Sequence, residues 1–377
     1  MQIETLELES FRNYERLRIE PGPGLNVFSG RNAQGKSNLL ESIYVLATSK
    51  STRAGKDIEL IRFEDPVGRI TAHVTREKNS DVALEMIFSQ TDKKVARVNG
   101  VRHTKLAEVI GQLNAVLFDS GDLEIVRGEP AIRRQFLDLE IAQTSPRYVH
   151  ALGAYRKTLE QRNRLLRDLR DARGSLDGLR EVLPSWSAQL AHHGARLIDR
   201  RRLFLERLGL LAAEVHETLS DGRDSLQVVY VPSFPLDGAV DEAGVREAFA
   251  EALAAVAHDE MNRGTTLRGP QRDDLTFLVN GSDARLYGSQ GQQRTVALSL
   301  KLAERQLIEE LVGEPPILLL DDVLSDLDDV RRHHLFDLTE RAGSQTFLSC
   351  TNLRPFSKGV LEQARVYAVS GGKLELQ

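Results

Sequence analysis

Apolar and polar residues change period several times along the chain, and each change marks a different kind of element. Residues 4–11, ETLELESF, alternate strictly; RLRIE follows at 16–20, then an apolar run at 25–28, then apolar residues at helical spacing over 36–47. The pattern predicts strand, strand, turn and helix, the opening of an α/β unit. Residues 67–118 alternate in short stretches (GRITAHVTRE, VALEMIFSQ, ARVNG) with a turn at Asn99-Gly100, which predicts a small β meander. From about 145 to 219 the period becomes helical and Leu, Arg, Ala and Glu dominate, with breaks expected at Gly174, Gly178 and Pro184. A strand at 227–231 and a helix at 242–258 come next. Strands at 275–279, 317–320, 346–348 and 365–369 then alternate with helices at 292–311 and 330–341.

The expected organisation is thus an α/β domain in two pieces, residues 1–144 and 263–377, split by a mainly helical insertion over 145–262. The insertion lacks the sustained apolar heptads of a coiled coil, and no internal repeat is present. A length of 377 residues with 41% hydrophobic and 28% charged side chains suits two folded lobes and rules out disorder as the main state. No apolar run approaches the ~18 residues a membrane span needs. The N-terminus has neither a basic start nor an apolar stretch of leader length, so a cytoplasmic protein with no membrane partner is expected. Cys350 is the single cysteine, which excludes a disulfide framework, a cysteine zinc site and iron–sulfur ligation.

A net charge of -5 argues against nucleic acid as a partner, but its distribution reverses that impression. Residues 147–207 hold fourteen Lys and Arg against seven Asp and Glu, leaving the rest of the chain at -12. Arg162, Arg164, Arg167 and Arg170 are placed to share one or two adjacent helical faces and to meet a phosphate backbone. Such binding is salt-dependent and indifferent to sequence. Aromatic residues are sparse there, so base stacking is not supported.

Gly30-Arg31-Asn32-Ala33-Gln34-Gly35-Lys36-Ser37 fits G-x-x-x-x-G-K-[ST] at every fixed position, after an apolar strand and before an amphipathic helix. Its glycines let successive N–H groups turn onto phosphate oxygens, and the helix N-terminus adds partial positive charge. Lys36 is expected on the β and γ phosphates, Ser37 on magnesium, and Asn38 beside them. Residues 317–322, ILLLDD, supply the second requirement, an apolar strand ending in carboxylates: Asp321 toward magnesium, Asp322 toward the attacking water. The interval from Lys36 to Asp321 is 285 positions, far more than a compact phosphate-loop domain needs. Ser289, Gly291 and Gln292 open a helix just upstream of that strand, a second anion-ready terminus.

These pieces resemble the ABC-type ATPase heads of the SMC superfamily, and most closely the RecF family of bacterial replication and repair proteins. The resemblance spans nearly the whole chain: SFRNY at 10–14, the phosphate loop, FDSGDLEIVRG at 118–128, RRQFLD at 133–138, RGPQRDDL at 268–275, SQGQQR at 289–294 and LLLDDVLSDLD at 318–328. It implies an ABC/SMC-like head, ATP and magnesium as ligands, and Ser289, Gly291 and Gln292 as a signature that closes over nucleotide bound to a second copy. Residues 325–328 would couple the two sites, and Arg12 would reach the nucleotide. The implied activity is ATP-dependent homodimerisation on single- or double-stranded, gapped or junction DNA, helping RecO and RecR place RecA on single strands. Three departures stand out: no glutamine near Ser120, no histidine near Thr351, and aspartate at 322 where many relatives carry the longer glutamate. Slow hydrolysis is therefore expected. Gln271 stands where the family motif usually has histidine, so Arg272 and Asp273 receive no role. An ATP-binding subunit of another ABC-type machine, such as a transporter, is the alternative.

Overall fold

The computed structural model describes residues 1–78, 80–171, 177–239, 241–323, 343–354 and 356–377. β1 (Gln2–Phe11) and β2 (Tyr14–Ile19) form an antiparallel hairpin, and β3 (Leu25–Ser29) leads into α1 (Lys36–Thr48). The meander, β4 (Val67–Thr75), β5 (Val82–Ser89), β6 (Val95–Val98) and β7 (Val101–His103), joins that hairpin. The result is one six-stranded antiparallel sheet of order β2-β1-β4-β5-β6-β7. Strict alternation of burial along β5 shows one face on the core and one toward water, as the period-two pattern predicts.

β8 (Ala115–Phe118) lies in the stretch read as meander but belongs elsewhere. All four of its residues are buried, which suits a strand covered on both faces and not an antiparallel edge. It pairs parallel to β12 (Ile317–Asp321) in the second sheet, which also holds β13 (Thr346–Cys350), β14 (Arg365–Ser370) and β15 (Lys373–Leu376). The order is β15-β14-β3-β13-β12-β8, so the strand before the phosphate loop sits between two strands from the far end of the chain. Phe28, Leu117, Leu319 and Phe347 point to one face, where α1 and the antiparallel sheet complete a single core. Val27, Val116, Leu318, Leu320 and Leu348 point to the other. α1 is accordingly buried nearly all round, as a helix inside a core must be.

Between the halves lie α2 (Leu123–Arg127), α3 (Pro130–Thr144), α4 (Pro146–Asp171) and α5 (Asp177–Leu219). α5 has 43 residues, roughly 65 Å at 1.5 Å per residue. It runs through Gly178 and Pro184 without a break. Pro184 is exposed, so water can take the carbonyl its ring leaves unpaired, and packing on α4 holds the helix. Gly174 and the helix expected at 330–341 fall outside the described residues. β9 (Leu226–Val231), α6 (Glu242–Ala255), α7 (Ala257–Arg263), β10 (Asp274–Val279), β11 (Ser282–Asp283), α8 (Ala284–Tyr287) and α9 (Gln290–Val312) follow. β10 pairs with β9 and β11 in a small antiparallel sheet and does not join the parallel one; its apolar face, Leu275, Phe277 and Val279, packs with Leu226 of β9 into the core of the helical lobe.

Arg162 corrects the reading of the basic segment. It is 1% exposed and donates to Glu260 at 2.6 Å and Thr266 at 2.8 Å, so it is an internal tie between helices and unavailable to a phosphate backbone. Arg164, Arg167 and Arg170 are exposed.

Candidate functional site

The phosphate loop is the turn from β3 into α1, and its shape is dictated by glycine. Gly35 has φ 116°, and a Cβ there would lie 2.6 Å from Asn13 Nδ2. At Gly30 a Cβ would lie 2.3 Å from the Val369 carbonyl oxygen, so neither position accepts a side chain. Ala33 also adopts a left-handed φ of 63°. The buried Lys36 ammonium donates to the carbonyls of Gly30 at 2.7 Å and Arg31 at 2.9 Å, spanning the loop it is expected to serve. Two other stretches, residues 13–14 and 371–372, brace the turn. Tyr14 Oη donates to the Gly35 carbonyl at 2.9 Å, and burial pushes its pKa far above the ordinary phenol range, so it remains a donor. Asn13 Nδ2 donates to the Gln34 carbonyl at 3.0 Å, and Asn13 Oδ1 accepts from Asn38 Nδ2 at 2.8 Å. The N–H groups of Gly371 and Gly372 donate to Gln34 Oε1 and O at 2.8 and 3.1 Å.

Two strands away, β12 ends at the carboxylates. Ser37 Oγ donates to Asp321 Oδ1 at 2.7 Å, joining groups 284 positions apart in sequence. Ser349, from the intervening β13, donates to the same oxygen at 2.6 Å and accepts from the Asp322 N–H at 3.0 Å. Asp322 has φ 55°, a left-handed conformation that aspartate tolerates better than most residues. The hydroxyl and carboxylate oxygens of Ser37 and Asp321 are the hard donors magnesium prefers.

Ser37, Asp321 and Asp322 border a cavity of 750 Å³ whose far wall carries Asp119, Asp122, Glu140 and Lys301. Asp119 and Asp122 cap one another's turn: Asp119 Oδ1 accepts from the Gly121 N–H at 2.7 Å and Asp122 Oδ2 from the Asp119 N–H at 3.0 Å. Burial raises the pKa of both, and of Glu140. Burial works against the charge on Lys301, but Glu304, Glu140 and Asp122 outweigh it and hold its pKa above the ordinary range. Lys301 donates to Glu304 at 2.5 Å.

A second cavity of 890 Å³ opens on the other side of Asn38 and Arg53, lined by Arg12, Asn13, Arg62, Phe63 and Gln90. Arg53 lines both cavities, so the two are neighbours across one side chain. Phe63 is 87% exposed there. Its loop is pinned to the 10–14 turn by Arg12 N–H to the Leu60 carbonyl and Arg62 N–H to the Ser10 carbonyl, both 2.8 Å. Arg12 itself grips Glu41 through two bonds of 2.9 and 2.7 Å and holds the Glu59 carbonyl at 2.8 Å.

Ser289 caps α9. Its hydroxyl accepts from the Gln292 N–H at 3.2 Å, and Gln292 Oε1 accepts from the Ser289 N–H at 3.0 Å, a reciprocal capping box. Gly291 is exposed beside it, and Leu286 and Tyr287, 68% and 77% exposed, immediately precede it. Ser289, Gly291 and Gln292 line neither cavity at the phosphate loop. Residues 325–328 lie outside the described residues.

A family model described as RecF/RecN/SMC N terminal domain matches residues 2–374. The DNA replication and repair protein RecF of Bacillus mycoides is 42% identical over all of this chain and 99% of that protein. Its counterpart in Halalkalibacterium halodurans is 44% identical, again over 100% of this chain and 99% of its own length. The chain belongs to the RecF family. Solved structures of the recombination mediator protein RecF with ATPrS and with ATP, each 32% identical, match with a TM-score of 0.91 and cover 100% of this chain and 98% and 97% of theirs. An Smc head domain from Pyrococcus furiosus, 17% identical, matches with a TM-score of 0.54 over 100% of this chain and 95% of its own, a likeness of fold alone. The α/β head split by a mainly helical insertion is therefore the RecF arrangement.

Within this RecF-family head, the fold brings the phosphate loop, Ser37 and Asp321 together and leaves Ser289, Gly291 and Gln292 facing outward. Sequence reasoning missed Asn13, Tyr14, Ser349 and Phe63. Asn13 and Tyr14 stand inside the SFRNY motif, so a signal existed; Ser349 and Phe63 offered none, since only topology carries them to the loop.

Proposed function

We propose that this chain is a DNA-binding ATPase of recombinational repair and replication-fork maintenance, a recombination mediator that dimerises around ATP on gapped or junction DNA. By family likeness it acts with RecO and RecR to place RecA on single strands, in the cytoplasm. The observation that carries the reading is the Ser37–Asp321 hydrogen bond, which closes a phosphate loop and a carboxylate strand into one site across 284 positions. The domain division at about residues 144 and 262 belongs to the same proposal: residues 1–144 and 263–377 build the ATPase head, and 145–262 form a lid-like lobe.

ATP enters with its phosphates against the loop N–H groups of residues 31–38. Lys36 exchanges its carbonyl partners for phosphate oxygens, a replacement of weak neutral acceptors by charged ones. Ser37 and Asp321 hold magnesium, which supplies neutralisation of charge at the phosphate oxygens. Asn13 and Tyr14 keep the loop in its receptive shape, and the exposed ring of Phe63 takes a face of the base, with Arg12 close to that end of the nucleotide. Asp322 orients water toward the γ phosphorus, and Ser289, Gly291 and Gln292 of a second copy meet the γ phosphate from the other side. ATP and water become ADP and phosphate. Aspartate at 322 and the absence of a glutamine near Ser120 and a histidine near Thr351 make turnover slow; by family likeness DNA stimulates it, suiting a clamp and timer. Cys350 has no part in this chemistry, as burial pushes its thiol up to about 11.

Light scattering of the purified protein, with and without ATP and magnesium and with and without a gapped duplex at two salt concentrations, tests the reading. A dimer that forms only with ATP and binds the duplex in a salt-dependent way is the expected result. A persistent monomer indifferent to DNA would overturn it and favour a head completed by some other protein. No helix among the described residues is long and apolar enough to cross a membrane.

A further inference from the structure

A third cavity lies at the end of α1 remote from the phosphate loop. Lys36 starts the helix at the loop, whereas Thr48, Ser49 and Lys50 line this cavity, roughly 20 Å along at 1.5 Å per residue. It has a volume of 730 Å³, is walled by α3 and α4 and closed on one side by Pro270 and Gln271; residues 30–37 take no part. Its floor is apolar, made by Ile110, Leu139, Val149, Leu152, Leu159 and Leu197.

Its charge is lopsided. Lys50, Lys105, Arg134, Arg156 and Arg201 share the lining with one carboxylate, Asp138. That carboxylate is already taken, by Arg201 at 2.7 Å and Arg156 at 3.2 Å. Among the described residues, the ion pairs include none of Lys50, Lys105 or Arg134. Arg134 is half-buried and donates to the Asp273 carbonyl at 2.7 Å; burial and the neighbouring Arg201 guanidinium lower its pKa, against the opposing pull of Asp274, Asp273 and Asp138. Ser49, 1% exposed, keeps a buried hydroxyl with no hydrogen-bond partner. An apolar floor ringed by more cations than carboxylates suits a ligand that brings both anions and a hydrocarbon group. A nucleic-acid backbone brings only the first.

We propose that this cavity is the docking site for an acidic segment of a partner protein, which seats an apolar side chain on the floor and sets flanking carboxylates against Lys50, Lys105 and Arg134. The cavity adjoins the one beside Ser37 and Asp321 through Gln135 and Leu139 but includes none of residues 30–37, and the interaction goes beyond the ATPase reading.

Fluorescence anisotropy of the full-length protein with a labelled twelve-residue peptide, a central leucine–phenylalanine pair flanked by aspartates, tests it. A second peptide replaces the apolar pair by two serines, and an unlabelled duplex serves as competitor. The apolar peptide should bind at least about tenfold more tightly than the serine peptide, and Lys105→Glu and Arg134→Glu should each weaken it at least about fivefold. Lys50→Glu combined with Lys105→Glu, both at exposed positions, gives the same test should the Arg134 variant fold poorly. No peptide binding, equal affinity for the two peptides, or no loss in the lysine variants would each overturn the proposal. Displacement of the peptide by stoichiometric duplex would assign the cavity to nucleic acid and overturn it as well.

Discussion

Two helix starts in this molecule carry anion-ready sequence, and they are built in opposite ways. The start of α1 is enclosed: its turn is braced by Asn13, Tyr14, Gly371 and Gly372, its lysine spans the loop, and its serine is bonded to a carboxylate from another strand. The start of α9 is exposed, and its capping box closes on itself through Ser289 and Gln292, with Gln292 also donating to Asp224 at 3.3 Å. The first is organised to receive a ligand within one chain. The second has the Ser289 and Gln292 N–H groups satisfied by its own capping box and faces outward. In the proposed function the two starts are halves of one site, brought together by a second copy.

The comparison can be broken most sharply at Lys36. Lys36→Arg should lower turnover about 10²-fold while some ATP binding survives, because a planar fork cannot occupy the point held by a compact ammonium. Wild-type phosphate release from this variant would remove the assignment of the loop. Ser289→Arg tests the other half: ATP should still bind the monomer, but the ATP-dependent dimer should disappear from light scattering. A normal dimer would mean that the exposed helix start meets nothing. Gly35→Ala asks whether the enclosure is needed, since a Cβ there meets Asn13 and Tyr14 in left-handed backbone, a strain of about 1–3 kcal/mol. Thermal unfolding should fall and nucleotide affinity with it; unchanged values for both would show that the bracing is slack.

Phe63→Ala should weaken ATP binding by about 1 kcal/mol, near the lower end of base–aromatic stacking, with no change in Tm because the ring is exposed. Equal affinity in titration calorimetry would place the base elsewhere. The smallest effect concerns the wall between the two starts, where Glu140 on α3 meets Lys301 and Glu304 on α9. Burial raises both carboxyls, so the folded chain binds more protons than the unfolded one and loses stability as pH rises from the ordinary carboxylate value through the raised ones. Glu140→Gln removes part of that dependence. Its Tm relative to the wild type should rise between pH 5 and pH 8, and a flat difference would show that the buried pair does not titrate in that window.

The two starts were also unequally legible. GRNAQGKS and ILLLDD could be read because each is a contiguous stretch whose chemistry depends on local backbone. The enclosure could not, because it comes from strand order: Ser349 reaches Asp321 only since β13 lies between β3 and β12. Phe63 is a lone aromatic in a loop and carries no periodic signal. The antiparallel sheet was readable from alternation, whereas β8 and β10 changed sheet through pairings that periodicity does not encode. Arg162 shows the same limit for charge. Its partner Glu260 is 98 positions away, so a count of arginines along a helix cannot separate an internal tie from a surface for DNA.

The place of β3 between β13 and β14 has a consequence for synthesis. Asn26 in β3 hydrogen-bonds Thr346 across 320 positions, so the strand that carries the phosphate loop leaves the ribosome long before its neighbours exist. At about 5–20 residues per second that interval is roughly 16–64 s. During it the apolar face of β3 has only the early antiparallel sheet and α1 for cover. A chain cut short before β14 leaves the strand of the phosphate loop paired on one side only, and one cut short before β13 loses both of its neighbours together.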